Sequence, residues 1–208
     1  MKRIIGLLIF LLGFSVMFAE NDEIQDDFFF DAVVFRGEPA DSARVDVYVM
    51  VPYKSVEFKK TGQIYTAKFS VKISILDTTG GNIAGTDYNR LLTEQDYAVS
   101  RGSTSKFDIK QIKFRLAPGT YKIRVELDDE NNKAEYAKAR TLNVLNFDEL
   151  PFALSGIMLV SSIEESDGKF KITPHLSDNI GNLRDGFFAF FESYSKYKYD
   201  SLEYVYEI

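Results

Sequence analysis

The chain is 208 residues long, 23.7 kDa in mass, and carries 25 Lys and Arg against 31 Asp and Glu, a net charge of −6. That balance argues against a duplex nucleic-acid binder, which needs a basic face to displace counterions. There is no Cys, no Trp and a single His. This excludes disulfides, thiolate nucleophiles, Cys zinc sites and a lipobox anchor, together with most His-based metal clusters.

Met1-Lys2-Arg3 is a short basic start, and residues 4–18 are apolar except for Gly6, Gly13 and Ser15. Ala19 then precedes the polar run Glu20-Asn21-Asp22-Glu23. Basic start, apolar middle and small final residue read as a secretory signal peptide over residues 1–19. The apolar run is about 15 residues, short of the roughly 20 that cross a bilayer, so cleavage is expected rather than an uncleaved anchor. Loss of Lys2 and Arg3 would take the net charge from −6 to −8. No later segment is apolar enough to span a membrane as a helix, so no integral membrane segment is expected after cleavage. Export places the chain in the periplasm or at the outer cell surface. Residues 20–43 read as a lead segment ahead of the fold.

From residue 44 the pattern has period two. Val45, Val47, Val49 and Val51 alternate with Asp46, Tyr48 and Met50, and Pro52 ends the run. Tyr65, Ala67, Phe69, Val71, Ile73 and Ile75 alternate with polar residues, which predicts a long strand with one buried and one wet face. Asp77-Thr78-Thr79-Gly80-Gly81-Asn82 is a turn cluster. Residues 83–93 form a weaker strand candidate, residues 91–97 could make a short helical turn, and residues 100–105 read as a polar loop. Phe107 and Ile109 share one phase while Ile112, Phe114 and Leu116 share the other. Such a slip predicts a β-bulge near Lys110-Gln111.

Tyr121, Ile123, Val125 and Leu127 alternate again, Asp129-Glu130-Asn131-Asn132 turns, and a strand follows over residues 139–145. About seven short strands in about 100 residues is the arithmetic of an antiparallel immunoglobulin-like β-sandwich, assigned to residues 44–147. Pro118-Gly119-Thr120-Tyr121 leaves two readings open. Tyr121 sends its hydroxyl to nearby backbone as a tyrosine corner, or it is an ordinary half-buried strand residue.

Phe147-Asp148-Glu149-Leu150-Pro151 reads as a linker into a second unit, residues 148–208. Strands are expected over 156–163 and 169–173, with aromatic strands over 186–197 and 202–208. Only about four strands fit there, against the roughly 100 residues of a closed sandwich. The expected fold class is therefore all-β: a sandwich followed by an incomplete second sandwich-like unit. That unit is either truncated or packed on the first domain or a partner.

The order of these segments resembles the N-terminal region of GWxTD domain-containing bacterial secreted proteins. The residues carrying the resemblance are Phe28-Phe29-Phe30-Asp31, Val56-Glu57-Phe58, Pro118-Gly119-Thr120-Tyr121, Leu154-Ser155-Gly156-Ile157, Ile172-Thr173-Pro174 and Phe190-Phe191-Glu192-Ser193-Tyr194, along with the two strands at 45–52 and 65–76. The GWxTD signature itself is absent, since the chain has no Trp. The resemblance implies a sandwich with a truncated second one and carries over no catalytic or binding residue.

No residue pattern points to catalysis, a cofactor or a metal. His175 sits near Asp178 and Asn179 and reads as an exposed loop residue. With no Gly-x-Ser-x-Gly elbow, a triad built on it is not expected. Asp128-Asp129-Glu130-Asn131-Asn132 offers hard oxygens suited to Ca²⁺ but lacks the EF-hand pattern, and reads as a solvated turn. Gly80-Gly81 lies in a hairpin turn, not in a phosphate loop before a helix. From Phe187 to Tyr206, nine of twenty residues are Phe or Tyr. This reads as the core half of an incomplete sandwich, with a protein-partner surface as the alternative. The expected function is an exported, non-catalytic binding or scaffold module of the bacterial cell envelope. The alternatives are an accessory domain of an extracytoplasmic enzyme whose active part lies elsewhere, or a carbohydrate-binding sandwich.

Overall fold

The computed structural model describes residues 28–38, 41–166, 168–176 and 186–205. The expected signal peptide and its cleavage point lie outside the described residues. In chain order the first strands are β1 (Phe29–Arg36), β2 (Ala43–Pro52), β3 (Lys59–Thr61), β4 (Ile64–Leu76), β5 (Asn82–Glu94), β6 (Phe107–Leu116), β7 (Gly119–Asp129) and β8 (Glu135–Val144). One helical turn, α1 (Tyr97–Ser100), lies between β5 and β6.

These strands form an antiparallel sandwich. One sheet has the order β1-β2-β6. The other runs β5-β4-β7-β8, with β3 pairing the start of β4. The alternations build the core between them. Val45, Val47 and Val49 of β2 face Phe69, Val71 and Ile73 of β4 and Ile123 and Val125 of β7, all fully or almost fully buried. Burying each such side chain stabilises the fold by roughly 1.5–3 kcal/mol.

Tyr121 opens β7, and its hydroxyl donates to the Ala117 carbonyl oxygen at 3.0 Å. This is a tyrosine corner: the side chain locks the β6–β7 connection to the strand that follows it.

Several boundaries differ from the sequence reading, each for a physical reason. The lead segment contains β1, which pairs with β2 along its whole length. Residues 83–93 lie within the full strand β5, paired to β4 from Tyr65↔Glu94 to Leu76↔Asn82. The helical turn falls at Tyr97–Ser100 rather than at 91–97, because Asp96 caps it by accepting from the Ala98 and Val99 amides at 2.7 and 3.2 Å. The expected bulge at Lys110-Gln111 is absent. β2 and β6 pair without interruption from Ala43↔Leu116 to Pro52↔Phe107. The inward phase simply continues to Asp108, whose carboxylate is satisfied by Arg90, while Phe107 turns outward and is exposed.

The chain continues through β9 (Phe152–Leu154), β10 (Met158–Ser166), β11 (Lys169–Pro174), β12 (Phe188–Phe190) and β13 (Ser193–Ser195). β11-β10-β12 form one small sheet, and β9 pairs with β13. This layer packs on the outer side of β1. Val33 and Phe35 of β1 are buried against Met158 and Val160 of β10, with Phe190 alongside. Ala32 and Val34 point the other way into the sandwich. β1 is therefore buried on both faces. Gly156 makes the join close: its amide donates to the Val34 carbonyl at 2.8 Å, and an added Cβ would lie 3.1 Å from Val33 Cγ1. The expected last strand at 202–208 is not formed over residues 201–205.

Candidate functional site

The acidic turn after β7 is a structural pin. Asp129 is fully buried, and its carboxylate accepts from the Glu57 amide at 2.6 Å and the Asn131 amide at 2.8 Å. Asn131 Nδ2 donates to the Glu57 and Thr66 carbonyls at 2.7 and 2.9 Å, and Lys59 Nζ donates to the Asn131 carbonyl. Of the five residues whose oxygens suggested a hard cation, Asp129 and Asn131 are engaged in tying this turn to residues 57–66. The Asp77 turn works similarly: its Oδ1 accepts from the Thr79 and Gly81 amides, both at 2.8 Å. Those bonds, with that of the Thr79 hydroxyl first, hold its carboxyl below the usual range.

His175 is half-buried rather than exposed, and its amide donates to the Leu159 carbonyl at 2.8 Å. Its Nε2 is buried without a hydrogen-bond partner among the described residues. Asp178 and Asn179 lie outside those residues. The aromatic segment divides. Phe190 packs 6.3 Å from Phe35, Phe191 meets Tyr204 edge-on at 5.4 Å, and Phe188, Tyr197 and Tyr199 are exposed.

The structure also assembles a groove that no sequence motif marked. β1 runs into β2 through the turn after Arg36, which sets Arg36, Gly37 and Glu38 at one end of the first sheet. The C-terminal layer covers the outer side of β1 and stops at Glu192 and Tyr194. Between this wall and β6, the outer face of the sheet stays open as a concavity of about 760 Å³, with Arg44, Lys113 and Arg115 among its lining residues. That volume falls in the usual range for ligand sites. Four cationic side chains line it against two carboxylates, Glu38 and Glu192, on a chain whose net charge is −6.

Ion pairs and hydrogen bonds fix the walls. Arg36 Nη2 binds Asp148 Oδ1 at 2.9 Å, joining β1 to the segment that leads to β9. The Arg36 amide donates to the Tyr194 hydroxyl at 3.1 Å, and that hydroxyl donates to Glu192 Oε2 at 2.5 Å. Burial first, and then this carboxylate, push the Tyr194 hydroxyl up to about 12. Phe147 stacks edge-on against the same ring at 5.2 Å. Arg44 lies over the Phe35 ring at 4.3 Å and reaches Glu192 at 3.4 Å and Asp46 at 3.3 Å. Asp46 is almost fully buried, and burial raises its carboxyl above the ordinary value despite Arg44 and Lys113.

The arrangement suits binding. Arg and Lys side chains supply fixed donors for an anion, and Tyr194 adds a ring and a hydroxyl. Glu192, one of its two carboxylates, is held by Arg44 and Tyr194. Period-two patterning could have placed Arg44, Lys113 and Arg115 on outward faces. Only the pairing of β2 with β6 brings them together.

No family model matches the chain, and no match is found among curated proteins. Among solved structures the chain is similar to a calcium-binding mutant of Bacteroides uniformis β-glucuronidase 2, with a TM-score of 0.40 and 10% sequence identity over 62% of this chain and 14% of that one. It is also similar to Bacteroides uniformis β-glucuronidase, with a TM-score of 0.38 and 11% identity over 56% of this chain and 13% of that one. The chain thus spans only a small fraction of the length of either enzyme.

Proposed function

We propose that this chain is an exported, non-catalytic binding module of the bacterial cell envelope, and that the groove between the C-terminal layer and β6 is where it binds. The observation that carries this reading is the groove itself: a concavity of about 760 Å³ whose lining is cationic and aromatic. The export half of the reading rests on residues 1–19 and their signal-peptide pattern, and kinship with GWxTD domain-containing secreted proteins would agree with it.

The test is residue-resolved NMR of the mature chain, titrated with a solubilised bacterial envelope polysaccharide fraction. The expected result is amide shifts confined to Arg36–Gly37, Arg44, Lys113–Arg115 and Glu192–Tyr194, with the polymer recovered at unchanged length. Shifts elsewhere, or none, would overturn the assignment of the groove. Shortening of the polymer would overturn the non-catalytic reading.

A further inference from the structure

Arg44 of β2 and Arg115 of β6 are paired directly across the sheet, and the neighbouring outward rung sets Asp46 opposite Lys113. Residues so paired have Cβ atoms about 5 Å apart, and like charges at that spacing oppose pairing. Arg44 is compensated, since Asp46 and Glu192 both reach it. Arg36 is compensated by Asp148. Lys113 and Arg115 have no ion-pair partner among the described residues, although Lys113 draws Asp46 toward its charged form from a distance. Glu38, on the rim, is the remaining carboxylate of the groove. These two cations, neither held in a close ion pair, stand two residues apart on the same face of one strand, roughly 7 Å along it. Both line the open volume, as does Tyr194.

We infer that Lys113 and Arg115, with Arg44 beside them, form a binding site for a multiply charged oxyanion. This rests on the reading of the groove as the binding site and names its ligand class. A guanidinium fork and an ammonium at this spacing satisfy a ligand with two anionic groups, or one polyvalent group lying between them. A bound oxyanion supplies Arg115 with the negative charge that Arg44, opposite it, already takes from Asp46 and Glu192. Carboxylate and phosphate share this chemistry, so the ligand's source is decided by probes of each kind.

The test is calorimetric titration of the mature chain with citrate and with pyrophosphate, and with acetate as the monovalent control. Either polyvalent probe is expected to bind, and to bind less tightly as salt is raised. The double variant Lys113→Gln/Arg115→Gln should bind at least about tenfold more weakly, equivalent to about 1.4 kcal/mol. Lys68→Gln, an exposed cation on the other sheet, should bind as the parent does. Citrate binding with no pyrophosphate response assigns a carboxylate ligand, and the reverse assigns a phosphate. A second readout guards against simple misfolding. Without ligand, Arg115→Gln should melt no lower than the parent, because it relieves the like-charge rung, yet it should lose the probe-induced rise in melting temperature. Equal binding by the double variant, or no binding of either probe by the folded parent, overturns the inference. If groove amides still respond to a neutral envelope polymer in that case, the proposed function stands and only the ligand class falls.

Discussion

Arg90 of β5 holds Asp108 of β6 across an open margin of the sandwich, with Nε donating to Oδ2 at 2.8 Å and Nη2 donating to Oδ1. At the opposite margin, Arg140 of β8 donates to Asp31 of β1. In both places an Arg from the five-stranded sheet meets an Asp from the three-stranded sheet. The two sheets share no strand, so these pairs act with the core in setting one sheet over the other. Asp108 is 9% exposed in its side chain and Arg90 38%, so the acid depends on the pair more than the base does.

Removing each partner should therefore have unequal effects. Arg90→Ala leaves a nearly buried carboxylate without its donor and should cost about 1–3 kcal/mol in denaturant unfolding. Asp108→Ala leaves a half-exposed guanidinium that water can solvate, and should cost less. An Asp108→Ala loss equal to or larger than that of Arg90→Ala would contradict this account.

Tyr121→Phe tests the corner. It removes one hydroxyl whose bond to Ala117 is 3.0 Å long and leaves the packing of the ring intact. A loss of about 0.5–1.5 kcal/mol is expected, with an unchanged denaturant slope because the exposed surface on unfolding is the same. No loss would make Tyr121 an ordinary strand residue.

Because β1 is buried on both faces, residues 20–147 expressed alone should keep a cooperative β-type unfolding transition but bare Val33 and Phe35, which are 2% and 1% exposed in the whole chain. Sedimentation should show that the fragment associates, whereas 20–208 does so less. Phe35→Thr in the fragment should restore the monomer. A monomeric, dye-silent fragment would mean that this face closes without the C-terminal layer.

The raised carboxyl of Asp46 gives a pH dependence of defined sign. Burial is the main cause, and it favours the protonated acid in the folded chain. Between the ordinary value of 3.8 and the higher folded value, the folded chain binds more protons than the unfolded one. Its contribution is therefore fully present below the ordinary value and is lost as pH rises through the folded value. Glu94 acts in the opposite sense: its Lys106 partner lowers its carboxyl, so its contribution is lost as pH falls. Comparison with Asp46→Asn separates the two. The parent should lose stability relative to the variant as pH rises through the acid range, and a relative gain would overturn the assignment.

Alternation made β4 and β7 legible in advance, since Val71, Ile73, Ile123 and Val125 each face the core while Lys72, Lys122 and Arg124 between them are exposed. The same logic misses β1, because Phe28-Phe29-Phe30-Asp31-Ala32-Val33-Val34-Phe35 has no polar face to alternate with when both sides are covered. It also reads Asp108 as an outward residue and inserts a bulge, because a local pattern cannot show that Arg90 waits on the other sheet to accept a carboxylate turned inward. The groove is further from reach. Arg44, Arg115 and Glu192 belong to three segments far apart in the chain, and each alone reads as a solvated charge. Side-chain phase along a strand is a local property, set by the two-residue repeat of the backbone. Which strand lies alongside, and which layer lies on top, depends on contacts between distant segments, so the cations held in close ion pairs and those not so held became distinguishable only in the assembled fold.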